Sequence, residues 1–237
     1  MNLNDTIEGW LASTRESCAP TGRPFVTLSY AQTLDGSISL RANESLPISG
    51  EQSLRLTHQL RSMHDGILVG IGTVLSDNPQ LTVRHWEGKN PQPIVLDSHL
   101  RMPSDARLRN NVDKNCWVLT TEENHWQQQE GVEVCLLQPA ADGRVCLHNA
   151  LALLHEKGIR HLMVEGGANV ITAFLKAKMV DAIVITIAPK IAGGYKGVGE
   201  LETSPKVDMP RIHPFFSERL GDDLIVWGQV VYGDSQS

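Results

Sequence analysis

The stretch Asp65–Arg84, DGILVGIGTVLSDNPQLTVR, limits the folds open to this chain more than any other. Ile67-Leu68-Val69 is a short, β-branched apolar run with the length and composition of a buried strand. Gly70 and Gly72 follow at once, at positions where a side chain would hold a ligand off the backbone. Thr73 opens a short helical turn, and Asp77-Asn78-Pro79 stops it. Leu81-Thr82-Val83-Arg84 then resumes an extended pattern and ends on a guanidinium. Open α/β sheets place ligands where a buried strand runs into small residues with polar groups just past its carboxyl end. The alternative is an ordinary strand–turn–helix connection whose glycines relieve crowding.

The same pattern recurs along the chain. Residues 1–17 have helical spacing, with Asn4 or Asp5 as the cap and Ile7, Trp10 and Leu11 on one face. The Pro- and Gly-rich stretch Ala19–Pro24 separates this helix from the rest of the chain, so it packs either on the main body or on another subunit. Phe25–Ala31 reads as a strand running into the turn signal Asp35-Gly36. Ser45–Gly50 is polar and turn-rich, and Gln52–Met63 has helical spacing. Pro93–Ser98 is a buried strand ending in two polar groups. Cys116–Thr120 and Val132–Leu136 are further short strands, and Leu147–Lys157 is a helix stopped by Gly158. His161–Val164 is a strand followed directly by Glu165-Gly166-Gly167 and a helix over Val170–Lys178. That order brings backbone N–H groups at a helix start against an anion. Val180–Ile187 and Leu224–Val231 are strands, with a hairpin at the end. Ile191–Gly199 is Gly-rich and reads as a mobile loop. Alternation of strands and helices predicts an α/β fold with a mainly parallel sheet and an antiparallel edge.

Composition excludes several classes. The net charge of −6 argues against nonspecific nucleic-acid binding, although a few local arginines can still hold an anionic ligand. No apolar run has the length of a membrane span, and the N-terminus lacks the pattern of a signal peptide. Cys18, Cys116, Cys135 and Cys146 show no Cys-x-x-Cys spacing, so they are expected to be reduced thiols of a cytoplasmic protein with no metal site.

Five separated blocks carry a resemblance: AQTLDGSI at 31–38, DGILVGIGTVLSDNPQLTVR at 65–84, PIVLDS at 93–98, LMVEGGANVITAFL at 162–175 and VDAIVITIAPKIAGG at 180–194. In order and spacing they resemble the reductase domain of the bifunctional riboflavin-biosynthesis deaminase/reductase family, from about Pro24 to Val231. The resemblance implies a dihydrofolate-reductase-like fold, with helices on both faces of a mainly parallel sheet and an antiparallel C-terminal edge. Residues 1–23 would be a helical extension and linker, and residues 24–237 a single reductase domain. It further implies NADPH as cofactor, a homodimer, and reduction of the ribosyl group of a phosphoribosylamino-pyrimidine to a ribityl chain. The fused deaminase would need a His-x-Glu and a Pro-Cys-x-x-Cys zinc site. His85-Trp86-Glu87 has the first spacing, but the sequence has no Pro-Cys-x-x-Cys to complete a zinc site, so the chain is expected to carry the reductase alone.

Matched position by position, the family's cofactor contacts fall at Ala31, Pro47, Thr73, Asp77 and Ser98, and on Gly167, Ala168, Asn169, Val170, Ile171, Thr172 and Ala173. Pro47 departs from the family, where a Trp often stands. The substrate contacts fall at Ser45, Arg61, Leu81, Arg84 and Glu165. Of the two carboxylates in the right blocks, Asp35 and Glu165, Glu165 is the catalytic-site group, orienting substrate rather than donating the proton. An acid directly after a buried strand needs partners. Arg61 and Arg84 are expected to converge on the substrate phosphate, and Ser98 with Arg101 on the cofactor's 2′-phosphate. Two other readings compete: a dihydrofolate- or pteridine-type reductase of the same fold, and a noncatalytic nucleotide-binding module.

Overall fold

The computed structural model describes residues 2–42, 44, 46–110, 113–123, 130–201 and 209–233. The first half runs α1 (Leu3–Ser17), β1 (Phe25–Thr33), β2 (Ser37–Ser39), α2 (Glu51–Ser62), β3 (Gly66–Gly70), α3 (Ile71–Asp77) and β4 (Gln92–Leu96). After a 3-10 turn at Arg107–Asn110 come β5 (Cys116–Thr120), β6 (Val132–Leu136), α4 (Leu147–Glu156), β7 (His161–Val164) and α5 (Ala168–Lys176). β8 (Ala182–Ala188), β9 (Tyr195–Lys196), β10 (Arg211–Leu220) and β11 (Asp223–Val231) complete the chain.

Nine strands form one sheet in the order β10-β11-β8-β1-β7-β3-β4-β5-β6. From β8 to β6 every neighbour is parallel. β11 runs antiparallel to β8, and β10 antiparallel to β11. The central strands are apolar on both faces, as a parallel sheet covered on both sides requires. Along β1 the pleat sends Phe25 to one side and Val26 and Leu28 to the other. Leu151, Leu154, Ile171 and Phe174 of α4 and α5 meet Val26 and Leu28. Ile7, Leu11, Leu56 and Leu60 of α1 and α2 meet Phe25, Met163 and Val184 on the opposite face. Among the described residues no helix is long and apolar enough to cross a membrane.

The first helix packs on the main body. Leu3, Ile7 and Leu11 are 5%, 1% and 0% exposed, and each such burial contributes about 1.5–3 kcal/mol. Its cap is Asn2, whose side chain accepts from the Asp5 N–H, rather than Asn4 or Asp5. Asn4 lies inside the helix and donates to Gln59 Oε1 on α2 at 2.6 Å.

Two local readings are corrected. The extended pattern read at Leu81–Arg84 joins no sheet, and both edges of β3 are taken by β7 and β4. The segment is irregular, with Leu81 in the left-handed region (φ 55°) and its side chain buried. The hairpin expected at the end is formed by β10 and β11, with Pro214 on the edge strand β10. The Gly-rich loop after β8 is tied down. Asp35 accepts from the N–H groups of Ala192 and Gly193 (both 3.0 Å) and from Lys196 Nζ (2.8 Å), and β9 pairs with β2.

Candidate functional site

Neighbouring strands β3 and β7 send the chain in opposite directions. β3 leads through α3 to β4 on one side, and β7 leads through α5 to β8 beyond β1 on the other. That divergence opens a crevice at the carboxyl ends of the strands, where open α/β sheets bind ligands. Here it is a cleft of about 1260 Å³, reached by Ala31 of β1, Gly70, Ser98 just past β4, and Glu165–Ala168.

Glycine sets the shape of its floor. A Cβ on Gly70 would lie 2.6 Å from Val170 Cγ2, and one on Gly166 would lie 2.6 Å from Val170 Cβ. These two glycines therefore let α5 sit against β3. Gly167 differs, because its Cβ would point into the gap toward Thr73, 3.3 Å from Oγ1. It is also the N-cap of α5, with no side-chain cap bond. The first helical bonds come from Val170 and Ile171 to Gly167 O. The N–H groups of Ala168 and Asn169, ahead of them, have no intrahelical acceptor. The gap between the starts of α3 and α5 thus offers free backbone donors and little bulk, the features that suit a pyrophosphate.

The other side of the cleft is built on an ion pair. Arg61 Nε and Nη2 donate to Glu165 Oε1 and Oε2, both at 2.7 Å, and Arg61 Nη1 donates to Thr82 O at 3.0 Å. The side chains are 10% and 17% exposed. Burial alone would pull the Arg61 guanidinium down, but its attraction and hydrogen bonds to Glu165 outweigh that and raise it. The Nε/Nη2 fork of Arg61 is therefore committed to Glu165 and Nη1 to Thr82 O, while the residue still lines the cleft. Arg84 converges on the same Thr82, donating to its Oγ1 at 2.9 Å, but its side chain stays exposed. Partial burial and the charges of Arg61 and Arg107 lower the Arg84 pKa from its ordinary value. Arg107 was not singled out in the sequence, where it lies in a polar stretch without a pattern. Its backbone N–H donates to Asn78 Oδ1 at 2.8 Å, which docks its turn against the end of α3.

The remaining expected residues divide clearly. Thr73, Asp77, Leu81, Asn169, Val170 and Ala173 also line the cleft. Ser45 lies outside the described residues. Pro47 is exposed and off the lining, between Leu46 and Ser49, which are on it. The Ile171 side chain is fully buried in the core, so only its backbone is available. Thr172 Oγ1 accepts from the Gly199 N–H at 2.8 Å and is also off the lining. Asp35 is no proton donor. Lys196, Thr33, the Ala192 N–H and Ser37 hold its carboxyl well below the usual range, as a loop anchor. At the β4 end, Ser98 Oγ accepts from the Val145 N–H at 3.0 Å. Arg101 Nε lies 3.7 Å from the buried Asp97 carboxylate. Arg144 lines the same end and was missed, because it sits in a turn between β6 and α4.

A family model described as the RibD C-terminal domain matches residues 24–226. The 2,5-diamino-6-ribosylamino-4(3H)-pyrimidinone 5′-phosphate reductase of Archaeoglobus fulgidus is 38% identical over 214 residues, covering 86% of this chain and 97% of that protein. The riboflavin biosynthesis protein RibD of Aquifex aeolicus is 38% identical over the same length of alignment, but the match spans only 57% of that longer protein. Among solved structures, the Saccharomyces riboflavin biosynthesis reductase Rib7 superposes with a TM-score of 0.73 at 28% identity, covering 93% of this chain and 99% of that one. With a mostly parallel sheet, an antiparallel C-terminal edge and a match over most of its length, the chain belongs to the RibD C-terminal domain family.

Proposed function

We propose that this chain is an NADPH-dependent reductase of riboflavin biosynthesis. It converts the ribosyl group of a phosphoribosylamino-pyrimidine, either the 2,5-diamino-pyrimidinone or its deaminated uracil counterpart, to the ribityl form. The observation that carries this reading is the two-sided cleft at the β3/β7 divergence. Glycine-lined helix starts stand on one side and the Arg61–Glu165 pair on the other, with the exposed Arg84 off the lining, three residues past Leu81, which is on it. Relatives named as the pyrimidinone phosphate reductase, matched along nearly their whole length, support it. A pterin-type reductase binds a neutral ring and would not need both Arg61 and Arg84 near Glu165. The test is NADPH oxidation with the two pyrimidines assayed side by side. Turnover of neither ends the proposal.

The bound nicotinamide supplies the hydride. The chain holds and orients the reactants. Gly167–Ala173 and Thr73 would hold the pyrophosphate, and Ala31, Asp77 and Ser98 other parts of the cofactor. Glu165, fixed by Arg61, would orient the substrate, with Leu81 and Ser45 beside it. Arg84, exposed near the Arg61–Glu165 pair, would take the phosphate. Arg84→Ala should lower kcat/KM for the phosphorylated substrate about ten- to a hundredfold, the range for one charge-assisted contact. The dephosphorylated compound should be a poor substrate for both proteins and indifferent to the change. Equal harm to both compounds would make Arg84 a structural charge.

A preference for NADPH over NADH rests on Arg101 beside Ser98. Arg101→Ala should raise KM for NADPH roughly tenfold and leave weak NADH use unchanged. Parallel loss with both cofactors would reject the placement. A cytoplasmic setting fits four free cysteines. For the homodimer, β10 offers the surface: it is exposed from His213 to Arg219, with Phe215 59% exposed. Sedimentation should show a dimer that Phe215→Asp weakens. A wild-type monomer at micromolar concentration would remove this reading.

A further inference from the structure

His58 has no part in the roles assigned above. It is fully buried on α2, one turn before Arg61 and on the same face. Its Nδ1 accepts the backbone N–H of Arg84 at 3.1 Å. In the neutral ring the proton then sits on Nε2, and Nε2 is buried with no partner among the described residues. An unpaired buried donor is costly. A leucine, like Leu56 and Leu60 on the same helix, would fill the space without that cost.

What the imidazole supplies is an anchor for a segment that has no other regular support. Residues 81–85 lie outside any strand or helix, and Leu81 is left-handed. Three side chains hold their backbone: Arg61 on Thr82 O, Asn90 on the Val83 N–H at 2.8 Å, and His58 on the Arg84 N–H. Only the last acts on Arg84 itself. The His85 ring packs edge-on against His58 with centroids 4.9 Å apart.

We infer that His58 is a positioning residue that aims Arg84 at the phosphate of the substrate, and that it does so only as the neutral ring. The inference rests on the reading of Arg84 as the phosphate-holding group. A proton on Nδ1 would replace the acceptor with a donor facing another donor. It would also place a third positive charge beside Arg61 and Arg84, with His85 the other titratable group against the ring and Glu165 behind Arg61. Burial first, and then the Arg61, Arg84 and His85 charges, lower the His58 pKa to about 4 against a smaller upward pull from the Thr82 backbone, so the neutral ring prevails near neutral pH.

The experiment compares wild type, His58→Leu and His58→Asn, the last keeping an acceptor near the place of Nδ1. His58→Leu should raise KM for the phosphorylated pyrimidine about tenfold, with kcat and KM for NADPH within about twofold of wild type. It should weaken binding of D-ribose 5-phosphate by a similar factor. His58→Asn should recover most of both. As pH falls below about 5, KM of the wild type should rise more steeply than that of His58→Asn, because only the wild type gains a proton at this position. A wild-type KM in a folded His58→Leu protein overturns the inference. So does a loss in His58→Asn equal to that in His58→Leu, or a parallel fall in kcat and NADPH affinity, since each describes a packing residue. If the wild type reduces neither pyrimidine but ribose 5-phosphate binding still follows this pattern, the proposed reaction fails and the role of His58 stands.

Discussion

Arg61→Met is expected to lower the melting temperature by roughly 6–20 °C and to abolish turnover. The variant leaves the Glu165 carboxylate, 17% exposed, without the guanidinium that occupies both its oxygens. Removing one partner of a buried pair costs about 3–5 kcal/mol, and a chain of this size loses about 2–4 °C for each. The double variant Arg61→Met with Glu165→Leu removes the stranded charge as well. It should regain most of the stability and stay inactive, because the carboxylate that orients the substrate is gone. Calorimetry on the two proteins separates the effects. Equal melting temperatures for the single and double variants would mean that Glu165 finds water or another donor, and that the pair is not what holds α2 against the end of β7.

Gly167→Val should weaken NADPH binding by more than a hundredfold while the protein stays folded. Its backbone (φ −70°, ψ 170°) is open to any residue, and a Cβ there meets only Thr73 Oγ1 at 3.3 Å. The side chain would instead fill the gap between the two helix starts and keep a pyrophosphate off the Ala168 and Asn169 N–H groups. Gly166→Ala should behave in the opposite way. Its Cβ would stand 2.6 Å from Val170 Cβ, which cannot swing aside, so α5 must move. Overpacking of this kind costs about 1–3 kcal/mol, and the change should show in stability at least as much as in affinity. Fluorescence titration with NADPH, set beside thermal unfolding, distinguishes the two glycines. Unchanged NADPH affinity in Gly167→Val would leave both as packing residues.

The contrast between those glycines marks how far the sequence reaches. The run Ile67-Leu68-Val69 followed by Gly70, and His161–Val164 followed by Glu165-Gly166-Gly167, were legible as strands ending in small residues. The strand period and the glycine break are local properties of the chain. The helix over 147–156 and its Gly158 stop were legible for the same reason. Which glycine makes room for Val170 and which faces the cleft was not legible, since that depends on how α5 lies against β3.

The sequence by itself determined an alternating α/β chain with a mainly parallel sheet, the strand ends that carry glycine and acid, and the need of Glu165 for a partner. Only the tertiary structure decided that the partner is Arg61, 104 residues earlier in the chain, and that the second arginine is therefore the one left exposed. It alone decided that Leu81–Arg84 is an irregular segment anchored by His58 that joins no sheet, with β7 and β4 on the two edges of β3. It likewise turned Asp35 from a candidate acid into the tether of a loop more than 150 residues away. The physical reason is one of range. Secondary structure follows from neighbours a few positions apart, whereas the partner of a buried charge, the edge of a strand and the direction of a side chain are set by segments that meet only when the whole sheet has formed.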